Sequence, residues 1–100
     1  MSNQVLRAFT IEDDLASASA MSIEVRVSVE GGEDRWCFFI TPEALASCGD
    51  WLPGTTARFH LGVPHMIVVT DLTAEVIRCA LEEIDLQGAL LRHTRPLSDR

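Results

Sequence analysis

The residues best suited to chemistry are three cysteines, Cys37, Cys48 and Cys79, and three histidines, His60, His65 and His93. A thiolate paired with an imidazole would make a nucleophile and its base, but the surroundings oppose it. Cys37 lies between Trp36 and Phe38, an apolar setting that keeps a thiol protonated. Cys48 falls at the end of a predicted short helix, where the negative pole of the dipole disfavours a thiolate. No nucleophile elbow and no glycine-rich oxyanion loop is present. The expectation is therefore thiols that fill space, no catalytic residue and no enzyme.

Metal or ligand binding is the next chemistry to weigh. His60 and His65 flank residues 62–64, so a hairpin there would bring two imidazoles together, with Cys37, Arg58 or an acid nearby. Zinc needs more ligands than that, and neither paired cysteines nor helical histidine pairs occur. A small metal- or ligand-binding domain or enzyme using His60 and His65 is thus the alternative reading, and no cofactor is expected. The acidic groups Glu12, Asp13 and Asp14, Glu33 and Asp34, and Glu82 and Glu83 read as solvated charge. Arg92, His93 and Arg95 could touch an anion, but a basic tail beside an acidic domain explains them equally well.

Missing residue types exclude more. All 8 positive charges are arginine, Tyr is absent and Asn occurs once, at Asn3. Phosphate-loop and Schiff-base lysines are therefore impossible, as are phenolic acids. With 15 acids the net charge is −7, a field that repels phosphate backbones, so no nucleic acid partner is expected. The longest apolar run, residues 36–40, falls far short of the ~20 residues of a spanning helix, which argues against a membrane partner. Residues 16–20 have the small side chains of a signal-peptidase site, yet Glu12, Asp13 and Asp14 occupy the place of its apolar stretch. No signal peptide is expected. An odd number of widely spaced cysteines suits a reducing cytoplasm, and arginine without lysine, with abundant Ala and Leu, suits a GC-rich bacterial genome.

The elements that must position these groups follow from periodicity. At 100 residues the chain supports a single domain burying roughly 65% of its unfolded surface. Residues 1–21 are poorly specified, with a short edge strand over residues 5–11. Ile23, Val25, Val27 and Val29 alternate with Glu24, Arg26, Ser28 and Glu30, a strand signature, and Gly31 and Gly32 suit a two-residue hairpin loop. That loop pairs Ile23 with Ile40, Val25 with Phe38 and Val27 with Trp36, leaving Cys37 and Phe39 on the other face. Thr41 caps a short helix that starts at Pro42 and stops at Gly49. Trp51 and Leu52 should pin the following loop to the core. Strands are expected over residues 56–61 and 65–70. A long helix begins at Asp71 or Thr73, with Val76, Ile77, Ala80, Leu81 and Ile84 inward and Glu75, Arg78, Glu82 and Asp85 outward. Residues 93–100 read as a flexible tail. The fold class is α+β: an antiparallel sheet of four to five strands carrying one short and one long C-terminal helix.

One surplus stands out. If the long helix runs through Gly88, Cys79, Leu86 and Leu90 form a second apolar stripe, and Phe39 adds apolar surface on the sheet. If it stops near Gly88, Leu86 and Leu90 fold back into the core. Exposed apolar patches mark contacts with other chains. The expected function is a non-catalytic, acidic cytoplasmic module that binds a protein partner or itself as a homodimer, with Cys79, Leu86, Leu90 and Phe39 as contacts.

Overall fold

A computed structural model describes residues 4–13, 22–60 and 62–99. The chain folds as an α+β domain in the order β1 (Leu6–Ile11), β2 (Ser22–Val29), β3 (Arg35–Ile40), α1 (Pro42–Ala46), β4 (Asp50–Trp51), β5 (Arg58–Phe59), β6 (Met66–Val68), α2 (Ala74–Leu86) and β7 (Arg95–Pro96). The main sheet runs β1-β2-β3-β6, with β7 pairing the start of β3 beside β6. Its pairings are antiparallel except β3 with β6. That parallel pair departs from the all-antiparallel expectation. The crossover through α1, β4 and β5 is long enough to return the chain in the same direction.

Strand β2 behaves as its alternation predicts, with Ile23, Val25, Val27 and Val29 all buried. The β2–β3 register does not. Ile23 faces Phe39, Val25 faces Cys37 and Val27 faces Arg35, because the connection spans residues 30–34 and only Gly31 takes a positive φ, 76°. The slip exchanges the faces of β3. Cys37 and Phe39 enter the core, while Trp36 and Phe38 turn to the opposite face and hold the ring of His65 between them at centroid distances of 4.7 and 5.4 Å.

Helix α2 covers the first face. Thr73 caps it by accepting from the Val76 amide at 3.1 Å, and Ile77 and Leu81 are fully buried beneath it. It does not run through Gly88. The Ala89 amide donates to Ile84 O at 3.0 Å and the Gly88 amide to Asp85 O at 2.9 Å, a Schellman stop that needs the left-handed backbone of Gly88 (φ 72°). The chain then turns inward and Leu90 becomes core, 2% exposed.

Residues 94–98, within the stretch expected as a tail, are tied to the domain. Strand β7 pairs with Arg35 and Trp36. Arg35 donates to Thr94 Oγ1 at 2.7 Å, Thr94 O at 2.9 Å and Leu91 O at 3.0 Å. Glu33 receives the Ser98 hydroxyl at 3.0 Å.

The segment between α1 and β6 also departs from expectation. Among the described residues of the strand expected over residues 56–61, only Arg58–Phe59 is extended into a ladder, and it pairs with Asp50–Trp51 as a separate two-stranded ribbon. Trp51 is 58% exposed, and Leu52 and Phe59 are exposed as well, so this ribbon is an arm rather than a lid on the core. Arg58 stacks its guanidinium over the Trp51 ring at 4.0 Å, shielding part of that apolar surface.

Candidate functional site

Strand β1 is the outer strand of the main sheet, and its far edge opens on helix α2. The two are joined by Asp85. This residue was expected on the exposed flank of the helix but is only 5% exposed. Its carboxylate accepts from the Val5 amide at 2.7 Å and the Leu6 amide at 3.1 Å. It thereby satisfies the two edge amides nearest the helix end.

Past that clip the strand bulges between Leu6 and Ala8. Beyond the bulge its orientation is settled by the Glu12 amide, which donates to Glu24 O at 3.0 Å. Alternate residues of an antiparallel ladder turn both backbone groups to the same neighbour. Ala8 and Thr10 therefore face β2 through their backbones, whereas Phe9 and Ile11 direct N–H and C=O away from it. Among the described residues no strand pairs with that edge.

Between β1 and α2 lies an open groove of about 740 Å3. Its strand wall is Leu6, Arg7, Ala8 and Phe9; its helix wall is Arg78, Cys79, Glu82, Glu83 and Leu86, with Asp85 at the closed end. Leu86 is 61% exposed. Arg78 is held between Glu75 and Glu82, donating to Glu82 Oε1 at 2.8 Å and to both oxygens of Glu75. These bonds push the guanidinium pKa up and hold the Glu75 carboxyl below its usual range. Helix α2 thus presents three exposed carboxylates, Glu75, Glu82 and Glu83, beside one guanidinium, and the strand wall adds Arg7.

The residues expected to contact a partner separate into two pairs. Cys79 and Leu86 both line the groove. Phe39 and Leu90 are in the core and offer no surface, because the register slip turns Phe39 inward and the Gly88 stop folds Leu90 under the helix. Residues of β1 and the Asp85 clip were missed by sequence reasoning. Apolar residues on both faces of residues 5–11 hinted at an edge strand, but nothing in the helical pattern marked Asp85 as buried.

The histidines hold different positions. His60 is exposed beside the arm, and His65 is 6% exposed between Trp36 and Phe38. Burial, then the positive charge of Arg95, pushes the His65 pKa below its ordinary value, which favours the neutral ring. Its Nδ1 has no hydrogen-bond partner among the described residues. No group of three or more His, Cys, Asp or Glu side chains arranged to hold a metal ion occurs among the described residues. Burial pushes the Cys37 thiol up to about 12, so it stays protonated at neutral pH. No described helix is long and apolar enough to cross a membrane. Compared with known proteins, the chain matches no family model, no curated protein and no solved structure.

Proposed function

We propose that this chain is a non-catalytic protein-interaction module that receives another polypeptide in the β1–α2 groove. The observation that carries the reading is Leu86, a large apolar side chain 61% exposed on a groove wall beside an open strand edge. An apolar group set among charges is the usual make-up of a contact patch. The acidic helix wall and the net charge of −7 steer a basic partner and slow a like-charged one. Self-association through an apolar stripe reaching Leu90 has lost its physical basis, since that side chain is core. Three free cysteines fit action in a reducing cytoplasm.

The test is selection of a random-peptide display library on the folded protein, with Leu86→Glu as the counter-screen. The reading expects enriched peptides that bind the wild-type chain and not the variant. Enrichment indifferent to Leu86→Glu, or none at all, would overturn it. Light scattering accompanies the selection, and a monomeric mass is expected.

A further inference from the structure

Resting on that reading, we infer that the groove takes its partner as an added strand: an extended basic segment that hydrogen-bonds to the outer edge of β1 and lays alternate side chains against α2. Three observations combine.

The first is the backbone. Phe9 and Ile11 each turn an N–H and a C=O outward, as the Glu12 to Glu24 bond requires. Unpaired edge groups of this kind are a template for another strand, and an edge strand is a known seat for strand addition. The second is that the edge has one defined open stretch. Asp85 occupies the amides of Val5 and Leu6, and the bulge between Leu6 and Ala8 interrupts pairing there. An incoming strand therefore docks past the bulge, where the ladder is regular. The third is charge. Glu82, Glu83 and the buried Asp85 line the groove on α2, with Arg7 and Arg78 as its cations, and Arg78 is already held by Glu75 and Glu82. Glu83 has no cationic partner among the described residues; its one bond there is from Gln87 Nε2, 3.2 Å away.

Lysine or arginine at alternate positions of the added strand answers this wall, with apolar residues between them to meet Leu86 and Cys79. A second copy of the chain fits worse. Pairing β1 with β1 about a two-fold axis normal to the sheet places both helices on one face and brings their acidic walls together.

The probe is a capped heptapeptide alternating valine and lysine, dye-labelled and titrated into the full chain by fluorescence anisotropy. Three companions accompany it: the same peptide with glutamate for lysine, and two forms N-methylated on one or the other alternate set of amides. A paired strand bonds through one edge only. One methylated form should bind about tenfold or more weakly, the loss of one or two hydrogen bonds, while the other binds nearly as the parent. The glutamate peptide should bind weakest, and Glu82→Gln with Glu83→Gln should narrow that gap. Binding that tolerates both methylations but fails with Leu86→Glu would overturn strand addition and leave the groove standing as a docking site. Binding that survives Leu86→Glu as well would overturn both. No binding of the lysine peptide would overturn the strand-addition proposal, while the display selection still judges the groove.

Discussion

Asp85 illustrates what one side chain contributes when it replaces a missing strand partner. Its carboxylate holds two backbone amides across nearly the whole length of the chain, with a sequence separation of 80 to Val5. Charge-assisted bonds of this sort are worth about 1.5–3 kcal/mol each, and their loss leaves two part-buried amides without a partner. Asp85→Ala should lower stability in urea denaturation by about 2–4 kcal/mol and deprotect the Val5 and Leu6 amides in hydrogen exchange. Glu82→Ala, at a solvent-exposed site, should change stability by less than about 1 kcal/mol. Equal effects would contradict the clip. His65 acts through pH. Its folded pKa lies below the ordinary 6.5, so the unfolded chain takes up a proton that the folded chain resists. Stability therefore falls as pH drops below about 6.5 and is flat with respect to this group above it. His65→Phe should remove that part of the slope; an unchanged slope would show that the ring is not responsible.

At the scale of the element, the ends of α2 decide what the surface looks like. Thr73→Ala should cost about 1 kcal/mol through the lost cap, and Gly88→Ala about 1 kcal/mol or more because its φ of 72° disfavours a Cβ. Thermal denaturation of both variants checks these values, and a stabilising Gly88→Ala would mean the helix can continue. The cap at Thr41 and the inward face of β2 were legible because a short polar side chain before a helical pattern, and unbroken alternation, point to one arrangement. Asp71 and Thr73 both fitted the start of α2, and the structure uses Thr73. The hairpin register was not. Both faces of β3 are apolar, so alternation alone did not distinguish Phe39 inward from Phe38 inward. The stop at Gly88 was legible only as an alternative, since glycine is tolerated inside a helix at modest cost. Half of the candidate site, Cys79 and Leu86, could be read from helical spacing. The strand wall could not, because an open edge is a property of tertiary order.

Across the whole molecule, large apolar side chains among the described residues are exposed at Leu86 in the β1–α2 groove, at Trp51, Leu52 and Phe59 on the arm, and at Val63, Val68 and Leu91. The groove joins the exposed Leu86 to open backbone groups and to Glu83, which has no cationic partner among the described residues, and so it carries the functional reading. Its charge makes binding salt-sensitive: raising ionic strength from low to about 1 M shortens the Debye length to about 3 Å and should weaken a lysine peptide far more than Leu86-dependent apolar contact. The most direct measurement is an amide chemical-shift map of the isotope-labelled chain during titration with the valine–lysine peptide. The account predicts the largest shifts at Phe9, Ile11, Cys79 and Leu86. Shifts confined to Trp51, Arg58 and Phe59, with β1 unmoved, would place recognition on the arm and contradict it.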